Sequence, residues 1–399
     1  MRRATTALTG LVTALMVLTA CSSPTDSEPA SSSESTTSAL VDGSSTDSEQ
    51  SSDSGSNDPG ADSEESTDVK SGPDEADVAG VNALELMGPS ETETVADMEP
   101  MFDGREPQLP ATVTDSRGVE VTIESADRIL SLDLYGTLTD TLIGLGMQDR
   151  LVGRANSDTQ EVLADLPVVT QSGHDLNIEA VLNLDPDLVI TNTTIGTERL
   201  YSQLEAAGIT VVYFEQIPSI DNIATEITMV GDTLGLTDEA IELADATMDR
   251  MDEVRAEIDQ LKEATPRAPR GAVLYVRGTA GVFFILGADY GAADVLEILG
   301  LDDVALNSGI TDLRPANAES LISLDPEIIL AMKDGIDSTG GVDGLLGRPG
   351  MAATTAGSNE RVIVAADTQL LSYGPRTPDN ILALAHAIYT DPDAGETDE

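Results

Sequence analysis

A fourteen-residue segment occurs twice in this chain, 140 residues apart. Asn177-Ile178-Glu179-Ala180-Val181-Leu182-Asn183-Leu184-Asp185-Pro186-Asp187-Leu188-Val189-Ile190 returns as Asn317-Ala318-Glu319-Ser320-Leu321-Ile322-Ser323-Leu324-Asp325-Pro326-Glu327-Ile328-Ile329-Leu330. Each copy predicts a helix capped by its asparagine, a stop at Asp-Pro, and an apolar strand. A unit repeated once at domain-scale spacing implies two similar α/β lobes, because a solenoid needs three or more closely spaced copies. Two such lobes enclose a cleft, the usual place for a small ligand.

The ends of the sequence are unlike this core. Arg2 and Arg3 precede an apolar run over 8–18, too short for a permanent membrane span, so 1–21 reads as an export signal. Leu18-Thr19-Ala20-Cys21 has the pattern of a bacterial lipobox, and Cys21 is the single cysteine of the chain. Its position predicts lipid attachment and a tether to the membrane, and it leaves no partner for an internal disulfide. Residues 22–105 are rich in Ser, Asp, Glu, Thr and Gly and read as a disordered, self-repelling spacer, in which 81–87 is a short apolar island. An acidic tail is expected over 393–399. The formal charge of −52 excludes nucleic acid and anionic lipid headgroups as partners, since no basic stripe exists to displace counterions. A monomer is expected.

Between these ends the patterns define an N-terminal lobe over 106–220, connector helices over 221–265 and a C-terminal lobe over 266–392. A hairpin is predicted over 111–123, and strands over 128–132, 150–152, 166–169 and 211–214 alternate with helices over 136–146 and 197–207. Such alternation implies mainly parallel sheets. Ile241, Ala244, Met248, Met251, Val254, Ile258 and Leu261 recur at spacings of three and four, the stripe of one long rigid helix. The second lobe is expected to open on strands 271–278 and 282–286, then a helix over 292–299, and to close on strand 362–365 and a helix over 378–389.

Few residues invite chemistry. Of two histidines, His386 falls on a closing helix and reads as structural, whereas His174 sits in a polar loop between a strand and a helix. Parallel sheets expose their functional edge at such loops. Tyr275 and Arg277 alternate on one face of a strand, and a guanidinium there favours the ionised phenol. Tyrosinate and histidine are both axial ligands of haem iron, though a half-buried tyrosine beside a solvent-facing arginine fits the pattern equally. Glu179 and Glu319 occupy matching places early in the two repeat helices, where they complement the helix dipole or serve as a two-point docking surface. The Gly-Xaa-Ser-Xaa-Gly, phosphate-loop and HExxH motifs of enzymes are missing, and no catalysis is expected.

In the order of these pieces the chain resembles the substrate-binding lipoproteins of bacterial iron-complex ABC importers, over roughly 110–390. Arg128-Ile129-Leu130-Ser131-Leu132, both Leu-Asp-Pro repeats, the connector helix and Gly374-Pro375-Arg376 carry the likeness. It implies an α/β fold of two similar lobes joined by one long helix, the class III periplasmic-binding-protein type. The His174 loop and Tyr275-Val276-Arg277 are similar to the haem-binding receptors of corynebacterium-type hemin importers. The resemblance implies that His174 and Tyr275 ligate the iron of haem b on opposite faces and that Arg277 hydrogen-bonds the tyrosine oxygen. It also implies that Glu179 and Glu319 meet the ABC permease, which works with its ATPase subunits at the outer face of the cytoplasmic membrane. Phe283, Phe284 and Tyr373 are candidates to cover the porphyrin, and Arg154, Arg199 and Arg314 to bind its propionates. A ferric siderophore held by Arg277, Arg314 and Arg376 is the alternative cargo, and a surface module binding host protein or cell wall a more distant one. The chain departs from the class in lacking tryptophan and in its long acidic spacer.

Overall fold

Runs of Ile, Leu and Val bounded by Asp-Pro and glycine turns make short strands buried on both faces, the condition for a parallel sheet. A computed structural model describes residues 80–171, 174–279 and 281–391. The signal with Cys21, the spacer up to residue 79 and the tail 393–399 lie outside the described residues. In the first lobe, Ile129–Leu132, Leu188–Thr191 and Thr210–Tyr213 form a parallel sheet with Leu188–Thr191 in the middle. The strand expected over 150–152 is reduced to a single bridge between Leu151 and Ile129, because a 3-10 turn over Gln148–Arg150 takes up its start.

The second lobe is one mixed sheet. From one edge its strands are Ser90–Glu91, Val362–Ala365, Ile328–Met332, Arg270–Arg277, Val282–Leu286 and Leu313–Pro315, and Asp302–Asp303 pairs with the start of Arg270–Arg277. The first four neighbours run parallel, and Val282–Leu286 is antiparallel to both strands beside it. The helices expected over 292–299 and 378–389 are Ala292–Ile298 and Thr377–Tyr389.

The repeat holds at atomic detail. The Asn177 side chain accepts from the Ala180 N–H and that of Asn317 from the Ser320 N–H, at 3.1 and 2.9 Å. Asp185 and Asp325 both close their helices in the left-handed region, with φ 48° and 44°. Sequence comparison missed two further matches. The Nε of Arg128 donates to the Asp185 carbonyl and that of Arg270 to the Asp325 carbonyl, at 2.9 and 2.8 Å. The Asp187 carboxylate likewise accepts from the Arg128 N–H and that of Glu327 from the Arg270 N–H. Each lobe therefore ties its leading strand to its repeat helix in the same way.

The connector is Ile223–Thr233 followed by Thr237–Leu261, 25 residues and about 37 Å of helix. Ala244, Met251, Val254, Ile258 and Leu261 are buried as the stripe predicts, but Ile241 is 45% exposed. Its place at the start of the stripe is taken by Ala240, packed against Gly231 of the preceding helix, and by Leu243, which lies against Gly144 of the first lobe. One continuous core joins Ile190 of the first lobe, Met251 and Val254 of the connector, Leu330 of the second lobe and Leu384 of the closing helix. His386 contacts Glu257 of the connector at 3.4 Å, the structural placement its pattern suggested.

Residues 80–105, assigned above to the spacer, are instead packed on the body. The Val81 N–H donates to the Tyr389 carbonyl at 2.7 Å, and Ser90–Glu91 adds an edge strand to the second lobe. Further on, Arg376 donates to the Ala96 carbonyl, the Asp97 carboxylate accepts from the Glu161 N–H, and Phe102 is buried against the first lobe. This arm is held mainly through its backbone, so its polar composition concealed it.

Candidate functional site

Parallel strands place their following loops at one edge of the sheet, and here both lobes contribute such an edge. Tyr275 and Arg277 end one strand of the second lobe; Phe284 and Val282 lie directly opposite them on the neighbouring strand and share their face. The guanidinium of Arg277 lies 5.0 Å from the centre of the Tyr275 ring, within cation–π range. Its Nη2 pairs with Asp367, the first residue of the short helix Asp367–Leu371. Burial pushes the Asp367 carboxyl up, and Arg277 pulls it back down.

Facing these groups from the first lobe is Tyr135, in the loop after Ile129–Leu132. Its phenol is raised to about 12, chiefly by burial and then by the nearby Tyr275, Asp133 and Asp367, while a hydrogen bond with Gln216 works against the shift. Asp133 pins this loop. Its buried carboxylate accepts from the N–H groups of Tyr135, Thr137 and Leu138 at 2.9, 3.1 and 3.0 Å, and burial raises its pKa.

His174 is exposed on the hairpin of Thr170–Gln171 and Asp175–Leu176. Its Nδ1 lies 3.2 Å from the Thr194 carbonyl. A carbonyl only accepts, so this contact is made by an Nδ1–H, an arrangement that leaves Nε2 as the ring atom turned to a ligand. The Thr194 hydroxyl oxygen accepts from the Leu134 N–H at 2.9 Å, which couples the His174 loop to the Tyr135 loop.

The remaining candidates divide. Phe283 and Tyr373 are core residues, the Tyr373 hydroxyl donating to the Gly291 carbonyl at 2.7 Å. Only Phe284 is left beside Tyr275. Arg314 pairs in register with Ile285, on the face opposite Tyr275, and is engaged with Asp312. Arg376 is held by buried Asp140 at 2.9 Å. With Arg277 paired to Asp367, each of the three arginines that a siderophore site would use is thus turned away or occupied. Arg154 donates to the Asp158 carbonyl at 3.0 Å, and Arg199 is exposed. Glu179 and Glu319 are both exposed, and one turn on from each an aliphatic side chain also stands in solvent, Leu182 at 43% and Ile322 at 51%. Tyr135 and Asp367 carried no signal in the sequence, since what marks them is proximity across the cleft.

Two α/β lobes on a long helix, with facing sheet edges, define a two-lobed binding protein. Residues 133–368 match the periplasmic binding protein family, and the chain belongs to it. In structure it is similar to the heme binding protein HmuT, with 42% identity and a TM-score of 0.75 over 78% of this chain and 100% of that one. It is also similar to the periplasmic heme-binding protein RhuT from Roseiflexus sp. RS-1, with 31% identity and a TM-score of 0.61 over 66% of this chain and 98% of that one. By sequence it is 27% identical to the cobalamin-binding protein of Halobacterium salinarum, over 70% of this chain and 74% of that one. The heme uptake protein IsdE of Staphylococcus aureus is 27% identical over 43% of this chain and 56% of its own length.

Proposed function

We propose that this protein is a lipid-anchored extracytoplasmic receptor that binds haem b between its lobes and hands it to an ABC permease and its ATPase subunits. The observation that carries this reading is the stacked Tyr275–Arg277 pair at the cleft edge, faced by the first lobe. A guanidinium beside a phenol favours tyrosinate, a good ligand for ferric haem, and the free Nε2 of His174 suits the opposite axial position. Phe284 lines the same face as Tyr275 and offers apolar cover. The similarity to heme-binding proteins supports the same cargo. The protein acts by binding alone, as a monomer, without catalysis. Cys21 is its lipid attachment site, and no described helix is long and apolar enough to cross a membrane.

Titration of the purified protein with hemin should give a saturable, sharpened and shifted Soret band, and excess cobalamin or ferric siderophore should not compete. Tyr275→Ala should weaken hemin binding by about a hundredfold, the scale of losing an ionic ligand with its charge-assisted contact. His174→Ala should change the spectrum with a smaller loss. Unchanged spectra in both variants would remove the ligand assignment even if haem bound.

Glu179 and Glu319 form the permease contact in this reading, with Leu182 and Ile322 as the apolar part of each patch. The double variant Glu179→Ala with Glu319→Ala should lower haem-dependent growth or uptake at least tenfold while the hemin Kd stays within twofold of the parent. Weakened hemin binding in the double variant would instead place the glutamates in the cargo site.

A further inference from the structure

The guanidinium of Arg277 is confined on three sides. The Tyr275 ring lies on one, 5.0 Å from the guanidinium carbon to the ring centre. Gly335 closes another: a Cβ there would come within 2.6 Å of Nη1 and 2.4 Å of the Val276 carbonyl, so only glycine lets the arginine lie against this backbone. The third is Asp367, 90 residues further along the chain, whose carboxylate takes Nη2. An arginine side chain free in solvent samples many rotamers, and a planar fork paired with a carboxylate loses that freedom.

We infer that Asp367 is a positioning residue for haem, acting through Arg277: it holds the guanidinium over Tyr275, the side chain that would meet the iron. This rests on the haem reading above. Asp367 is partly buried and enters the cleft from the strand Val362–Ala365, a separate element from the one bearing Tyr275 and Arg277. The pair therefore ties two strand ends of the second lobe together at the place where cargo would sit. Asparagine at this position keeps size and shape but loses the charge, and glutamate keeps the charge on a longer stem.

The test loads parent and variant proteins with hemin, follows its transfer to apomyoglobin, and records the resonance Raman modes of the iron–phenolate bond. Asp367→Asn should release hemin about tenfold faster, the scale of one charge-assisted contact, with weakened phenolate modes. Asp367→Glu should recover most of both. In an Arg277→Ala background Asp367→Asn should add nothing, because the carboxylate acts only through the guanidinium. Parent-like release and Raman spectra in Asp367→Asn would overturn the inference while leaving the haem reading intact. An undiminished effect in the Arg277→Ala background would also overturn it, assigning Asp367 a direct or merely structural role. A parent protein that gives no Soret change with hemin would remove the haem reading itself.

Discussion

Arg361→Ala should destabilise the protein by about 3–5 kcal/mol and lower its Tm by roughly 6–12 °C. Arg361 is 1% exposed and has no carboxylate partner among the described residues. It works instead as a clasp on three segments. Nη1 donates to the Ser90 hydroxyl at 2.6 Å, and Nη2 donates to the carbonyls of Ala387 and Ile388 at 2.8 and 2.9 Å. Those carbonyls end the closing helix, where the last turn lacks backbone partners and the dipole favours a cation. Burial lowers the guanidinium pKa to about 10, so it stays charged at neutral pH. Truncation leaves the hydroxyl and both carbonyls without their donor and opens a cavity beside them. Arg361→Met fills the volume without the donors and should recover only part of the loss. Limited proteolysis within 80–105 should accelerate in step with the fall in Tm, because the clasp adds a side-chain tie to the backbone pairing that holds the arm on the last strand. A Tm within 2 °C of the parent would show that the arm and the helix end hold without it.

Arg361 also marks where the sequence stops being legible. An arginine next to an apolar strand reads as a solvent-facing flank, and its burial follows from an arm far earlier in the chain. What could be read was local: the Asn caps, the Asp-Pro stops, the 3.6-residue stripe of the connector and the apolar strands between them. These patterns are set by neighbours within a few residues and survive whatever surrounds them. The arm failed on both counts, since it carries one two-residue strand and few apolar anchors. Ile241 shows the same limit within a helix, because periodicity locates a stripe but its edge is decided by the packing partner. At the site, a Tyr-Val-Arg strand end and a lone loop histidine match many half-buried surfaces, and only the family resemblance singled them out. Asp367 and Tyr135 had no such aid. Their significance arises from three strand ends and two lobes meeting, which no single window of sequence contains.

The second large effect concerns Glu226, where the expected result of a substitution is a gain. Glu226 lies on the helix Ile223–Thr233, is 8% exposed, and finds no hydrogen bond or ion pair among the described residues. Burial, and then the charge of Asp133, raise its pKa from 4.5 to about 8. Asp158, raised to about 8 mainly by burial and also by Asp133, acts in the same sense. A carboxyl with a raised pKa binds its proton more tightly in the fold than in the unfolded chain. Between about pH 4.5 and 8 the folded state therefore holds a proton that the unfolded chain has released. Stability must then fall as pH rises through this window and level off above it. For Glu226 alone the full span corresponds to about 3–5 kcal/mol. Glu226→Gln keeps the shape and removes the titration. It should match the parent near pH 4.5 and exceed it by that amount at pH 8.5 in urea unfolding. Repulsion among the many carboxylates also grows with pH, but it is nearly common to both proteins, so the difference between them isolates this one group. A gap that does not change between pH 4.5 and 8.5 would mean that Glu226 is ionised in the fold at neutral pH, matched by solvent that burial fails to exclude.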